Sequence, residues 1–138
     1  MRPDTQVIEH ARLRFAWVWW LLGWAFVVLT VNDSLEKHPP AVFELASDKL
    51  VHFLGYFALA LWFAGVTRAR RYPIVGALVI ALGGALEILQ GAMNNGRQAE
   101  WNDFFADALG VIAALGLAYA GLGRWAIWIE RLLRMQKK

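Results

Sequence analysis

Apolar residues run in four long stretches along the chain, and most polar residues collect at the ends of these stretches. The stretches cover about residues 15–31, 50–67, 72–93 and 104–122, and the first contains no charged side chain. At a helical rise of about 1.5 Å per residue, each reaches roughly 25–33 Å, close to the thickness of a hydrocarbon core. The pattern therefore predicts an all-α fold, an integral membrane four-helix bundle.

A different pattern follows the fourth stretch, in the tail of residues 124–138. Apolar and basic residues there recur on opposite faces at helical spacing: Trp125, Trp128, Ile129, Leu132 and Met135 against Arg124, Arg131, Arg134 and Lys138. This spacing predicts a C-terminal amphipathic helix at the membrane interface. Nothing in the chain marks a second domain, so residues 1–138 are interpreted as one membrane domain.

Composition and charge support the membrane interpretation and indicate an orientation. The chain is 59% hydrophobic and only 18% charged, unlike a soluble domain of this size. Most Lys and Arg residues lie in the N-terminal segment, in the loop at residues 68–71 and in the tail. The positive-inside rule then predicts that both termini and the loop at residues 68–71 lie in the cytoplasm. The same rule accounts for the basic pI of 9.6, so no nucleic-acid partner is predicted.

Polar and ionisable side chains gather where the second, third and fourth stretches meet the outer membrane face. These residues are Asp48, Lys49, His52, Tyr56, Glu87, Gln90, Arg97, Asp103 and Asp107. Charge at membrane depth is costly and is usually retained for a function. Asp48, His52 and Tyr56 recur every fourth residue and so share one helix face. We expect the set to form an outward-facing polar pocket, over which Arg97 bridges two carboxylates or binds a phosphate.

Small residues predict how the helices meet. Glycine and alanine line the third stretch, and Ala106-x-x-x-Gly110 lies in the fourth. Such spacing lets two helix backbones approach closely in lipid. Helices three and four are therefore predicted to form a tight pair, and the first helix is predicted to be a lipid-facing support. Ser47 is predicted to cap the second helix, and Asn102 or Asp103 the fourth.

Read in order, the polar residues resemble the VanZ-like family of small bacterial membrane proteins. The resemblance covers about residues 45–118 and rests on these elements: Asp48-Lys49-x-x-His52-Phe53-x-x-Tyr56, Glu87-x-x-Gln90, Gly96-Arg97, and Asp103 and Asp107 before Gly110 and Gly116. The family commonly has Asn where this chain has Asp107. The resemblance implies a location in the bacterial inner membrane. It also implies a cell-envelope role, since one member is associated with low-level resistance to teicoplanin, a lipid-tailed glycopeptide that acts outside the membrane.

Three classes of function stay open. The first is binding of an extracytoplasmic amphiphile, such as a lipid-linked cell-wall precursor or a lipoglycopeptide. The second is a membrane enzyme that acts on a lipid headgroup through His52, with Asp48 and Glu87. The third is transport of protons or ions, or an accessory role as a structural partner of another membrane protein. Such a partner is either a different membrane protein or, in a homo-oligomer, a second copy of the chain. One buried histidine with carboxylates is a weak set of metal ligands, so no metal or other cofactor is predicted. Helix capping and interhelical hydrogen bonding are the structural alternatives for the same residues.

Overall fold

The computed structural model of the protein describes residues 13–35, 47–93 and 99–135, and within them every regular element is helical. These described ranges contain five α-helices: α1 Ala16–Leu35, α2 Asp48–Val66, α3 Tyr72–Ala92, α4 Trp101–Tyr119 and α5 Trp125–Met135. Short 3-10 turns at Ala69–Arg71 and Leu122–Arg124 precede α3 and α5. The predicted all-α, four-helix architecture is confirmed.

The first four helices are each long and apolar enough to cross a membrane. Their outward faces carry large exposed apolar side chains, among them Leu29, Leu78 and Ile112. A face of this kind is stable against lipid but not against water. The chain is therefore a multi-pass membrane protein.

The helix ends agree with the sequence at some positions and depart from it at others. Ser47 caps α2 as predicted, because its Oγ accepts a hydrogen bond from the Leu50 amide. The prediction for α4 is wrong: Glu100 stands at the N-cap without a side-chain capping bond, and Asp103 lies in the first turn. That helix also ends at Tyr119 rather than at residue 122. Gly121 follows with a φ of +124°, a conformation that glycine adopts readily and that stops the helix.

The closest helix pair is α2 with α4, which corrects the prediction that helices three and four are the tight pair. Gly110 lies against the backbone of α2, and a Cβ there would overlap the carbonyl oxygen of Phe53. The α3 glycines do face α4, since a Cβ on Gly76 would meet Leu115. Small-residue spacing shows that another helix can approach the backbone closely, but it does not identify that helix. The prediction from the sequence therefore chose the wrong pair.

The first helix lies at the side of the bundle, as predicted. Within Ala16–Leu35, Gly23 is the one buried residue. Near its start, Trp19 meets Trp62 of α2 and Trp125 at ring-centroid distances of 6.0 and 5.3 Å. The Trp62 Nε1 donates a hydrogen bond to the Trp19 carbonyl, and the Trp125 Nε1 donates one to the Leu61 carbonyl. These tryptophans join α1, α2 and α5 at the end of the bundle opposite the polar residues.

Candidate functional site

The polar residues of α2, α3 and α4 meet at one end of the bundle, in two layers. The outer layer is an ion-pair cluster around Lys49, near the start of α2. Its Nζ lies 2.7 Å from Glu100 Oε2 and 2.8 Å from Asp103 Oδ1. The Lys49 and Glu100 side chains are 44% and 55% exposed, whereas that of Asp103 is almost fully buried. This layer is therefore the part of the cluster that a molecule outside the bundle can reach.

The inner layer is centred on His52, one turn below Lys49 on the same helix. Its Nδ1 lies 2.9 Å from Asp107 Oδ1, and its Nε2 lies 3.8 Å from Asp103 Oδ2. Two acids four residues apart on a helix present their carboxylates on one face, so both reach the same imidazole. The Asp107 side chain is only 1% exposed. The imidazole is thus held between two carboxylates of α4, with Asp107 as its hydrogen-bonded partner.

Glu87 brings α3 into the inner layer. It is buried near the end of α3, and its Oε2 accepts a hydrogen bond of 2.9 Å from the Glu100 amide. This bond satisfies the backbone group that precedes the first turn of α4. On the other side, Asp107 Oδ2 has no hydrogen-bond partner within the described residues. It lies next to Gly83, one helical turn before Glu87. A buried carboxylate oxygen therefore points toward the helix that carries Glu87.

The remaining predicted site residues have different positions. Gln90 is buried and donates from its Nε2 to the Ser34 carbonyl, so it connects α3 to α1. Tyr56 is part of the apolar core below the site. Asp48 is exposed in the first turn of α2. Arg97 lies outside the described residues, and its predicted role stays a prediction.

One pairing differs from the sequence-based expectation. The enzyme hypothesis assigns the orientation of His52 to Asp48, whereas the structural alternative pairs the α3 and α4 carboxylates with His52 or Arg97. In the structure Asp107 forms the short contact with the imidazole. The α4 carboxylate is buried whereas Asp48 is exposed to solvent, and a hydrogen bond to a charged group is stronger away from water.

Two acids that matter in the structure are absent from the predicted site. Glu100 pairs with Lys49, and nothing in its spacing marks it out. Glu130, at the opposite end of the bundle, is buried and accepts hydrogen bonds from the amides of Arg14 and Phe15 and from Trp19 Nε1. Glu130 is the only acidic residue in a strongly basic tail. Its isolation among basic residues is the sequence feature that could have marked it as important.

Burial alone raises the pKa of Glu130, but its partners reverse the effect. The two backbone amides, the Trp19 indole and the charge of Arg134 all favour the carboxylate, so the pKa lies below its ordinary value of 4.5. Arg134 Nη2 lies 3.6 Å from Glu130 Oε2. Glu130, which lies on α5, therefore acts as an anionic cap for the start of α1.

Two sets of side chains in the polar cluster have the composition and proximity of metal ligands. The deeper set is His52, Glu87 and Asp107, whose ligand atoms all lie within 4.8 Å of one another. The second set, Asp48, His52 and Asp103, meets the same distance and lies nearer the surface. Both depend on the one histidine. The sequence alone favoured no metal here because it did not show that the carboxylates of two other helices converge on His52.

Comparison with known proteins adds no relative: no protein-family model, no curated protein and no solved structure matches the chain. The resemblance to the VanZ-like family therefore rests on the motif residues alone and stays a prediction.

Proposed function

We propose that the chain is a bacterial inner-membrane protein whose polar cluster binds the headgroup of an extracytoplasmic amphiphile, such as a lipid-linked cell-wall precursor or a lipoglycopeptide. The observation that carries the proposal is the layered cluster itself. Accessible Lys49 and Glu100 lie above the partly buried His52 and the buried Asp107, and the buried Asp103 contacts both Lys49 and His52. Ionisable groups from separate helices are costly to gather beside lipid, and such sites usually serve a function.

The distribution of charge between the two ends of the bundle supports this orientation. The end opposite the cluster carries the basic loop at residues 68–71 and the basic tail. Under the positive-inside rule that end faces the cytoplasm. The polar cluster then lies at the outer headgroup level, where the polar part of an amphiphile resides and its tail lies along the apolar faces of the helices.

The outer layer has free hydrogen-bonding capacity for such a headgroup. A lysine ammonium carries three N–H donors, and Lys49 donates one of them to Glu100 Oε2. The exposed carboxylate of Glu100 accepts hydrogen bonds from hydroxyl, amide or amine groups. Donors and acceptors side by side suit a headgroup that contains both sugar hydroxyls and phosphate.

The proposal is tested by native mass spectrometry of protein extracted gently from its own membrane, compared with Lys49→Ala. We expect a specific amphiphile to remain bound to the wild-type protein and to be lost from the variant, because the substitution removes the accessible cation. Arg70→Ala is the matched control, since it removes an exposed cation at the opposite end. Arg97→Ala tests the predicted role of the loop residue in the same experiment.

The result that contradicts headgroup binding is also clear. Spectra of wild type, Lys49→Ala and Arg70→Ala that show the same bulk lipid, with all three proteins folded, indicate that the cluster is a structural network. Equal loss of the amphiphile from both variants indicates a general charge effect rather than a site.

A second candidate function is a membrane enzyme that acts on a lipid headgroup, and the contact between His52 and Asp107 favours it. A histidine oriented by a buried carboxylate is a suitable general base. We expect purified wild-type protein to convert a component of its own lipid extract and His52→Gln to leave it unchanged. Identical lipid products from the two proteins would count against catalysis without affecting headgroup binding.

A further inference from the structure

We infer that His52, Glu87 and Asp107 form a binding site for one divalent transition-metal ion, of the class of Zn²⁺ or Mn²⁺, in the inner layer of the cluster. This site goes beyond the proposed function, because headgroup binding by the outer layer does not depend on it.

The first support is geometry. The three side chains come from three helices, and their ligand atoms lie within 4.8 Å of one another. Around a tetrahedral ion with bonds of about 2.0–2.2 Å, neighbouring ligand atoms are about 3.3–3.6 Å apart. Side-chain rotations that bring these atoms together by no more than about 1.5 Å therefore complete the site.

The second support is the unpartnered oxygen of Asp107. Its side chain is 1% exposed, and Oδ2 has no hydrogen-bond partner within the described residues. An unsatisfied buried carboxylate oxygen is costly, and a bound ion is a recognised explanation for one. The oxygen packs against Gly83, one turn before Glu87, so closely that a Cβ at that position would lie 2.8 Å from it. It therefore faces the helix that carries the other carboxylate of the set.

The third support is charge. Lys49 is engaged by Glu100 and Asp103 in the outer layer. Glu87 and Asp107 lie below Lys49. Within the described residues, His52 is the one basic group that contacts them. Two buried carboxylates need a compensating cation. A divalent ion supplies that charge and takes Asp107 Oδ2 as a ligand.

The ligand types decide the class of metal and which of the two sets holds it. One imidazole nitrogen with two carboxylate oxygens suits Zn²⁺ or Mn²⁺, whereas Mg²⁺ and Ca²⁺ prefer oxygen alone. The more superficial set of Asp48, His52 and Asp103 is a poorer site. Its Asp103 already pairs with the Lys49 ammonium at 2.8 Å, and a second cation would be repelled there.

Isothermal titration calorimetry with Zn²⁺ and with Mn²⁺ tests the site. The whole chain is purified in detergent with a tag that contains no histidine, and it is treated with chelator before the titration. We expect one equivalent to bind the wild type, and Glu87→Gln and Asp107→Asn each to weaken binding by at least about tenfold. Both variants retain an acceptor for the Glu100 amide or for His52, so the fold should persist. Asp33→Asn is the control, because it removes an exposed carboxylate at the same end of the bundle.

A spectroscopic measurement on the wild type keeps the test independent of variant folding. Pulsed electron paramagnetic resonance of bound Mn²⁺ should show coupling to a single imidazole nitrogen. The chain has three histidines, and the signal should survive His10→Gln and His38→Gln but not His52→Gln.

Several results overturn the proposal. The first is no binding to the wild type at millimolar metal. The second is no nitrogen coupling. The third is loss of metal binding in Asp48→Asn with normal metal binding in Glu87→Gln. That result would place the ion in the more superficial set of Asp48, His52 and Asp103.

Discussion

Gly110→Ala is expected to destabilise the folded bundle by about 3 kcal/mol, because a methyl group at this position has no room. The new Cβ would overlap the carbonyl oxygen of Phe53 and lie 3.1 Å from the Phe57 amide nitrogen. Both are backbone atoms inside α2, so no side-chain rotation relieves the contact and the two helices must move apart. Unfolding of purified protein in mixed detergent micelles, followed by circular dichroism, measures the change.

Gly116→Ala is the matched control for that substitution. It lies on the same helix, and a Cβ there meets nothing within 4 Å. Alanine is the better helix former, so the control should be neutral or more stable by about 0.5–1 kcal/mol. Equal stability of the two variants would show that α2 and α4 are not in close backbone contact.

The consequence of Gly110→Ala extends to the polar site. Gly110 is one turn after Asp107, and Phe53 follows His52 directly. A wider separation of α2 and α4 lengthens the 2.9 Å contact between His52 Nδ1 and Asp107 Oδ1. We therefore expect the variant to lose metal binding as well as stability, whereas Gly116→Ala should keep both.

Glu130→Ala is expected to cost about 2–3 kcal/mol of folding free energy, since hydrogen bonds to a charged group are the stronger kind. The substitution leaves the amides of Arg14 and Phe15 and the Trp19 indole without their shared acceptor. The start of α1 and the position of α5 should both loosen. The same micelle unfolding experiment measures the loss, and hydrogen exchange should show faster exchange of the first-turn amides of α1.

Arg134→Ala separates the hydrogen bonds of Glu130 from its ion pair. The Arg134 side chain is 56% exposed, and its Nη2 lies 3.6 Å from Glu130 Oε2. Exposed partners contribute little, so we expect a loss of no more than about 0.5 kcal/mol. A loss as large as that of Glu130→Ala would mean that the ion pair, and not the capping of α1, holds the tail in place.

The lowered pKa of Glu130 also predicts a pH dependence with a definite sign. The unfolded chain binds this proton more tightly than the folded chain, so the contribution of Glu130 to stability is complete above about pH 4.5. It falls as the pH drops through the lower pKa of the folded state. The stability difference between wild type and Glu130→Gln should therefore be constant near neutral pH and shrink on acidification. A difference that grows on acidification would contradict the assigned contacts.

The sequence by itself determined the membrane architecture of this protein. Apolar runs of spanning length admit few structures other than helices, because an unpaired backbone polar group in lipid costs several kcal/mol. For the same reason polar residues concentrate at helix ends, and their order along the chain assigns them to one end of the bundle. The Ser47 cap is equally local and was predicted correctly.

The tertiary structure alone decided which side chains meet. Helical spacing puts residues on a common face, but it does not specify how each helix is rotated or which neighbour it faces. His52 therefore pairs with Asp107 instead of Asp48, and Gly110 meets α2 instead of α3. Glu130 caps a helix more than a hundred residues earlier in the chain. These pairings follow from long-range packing, whose free energy belongs to the assembled bundle and is not encoded in any one segment.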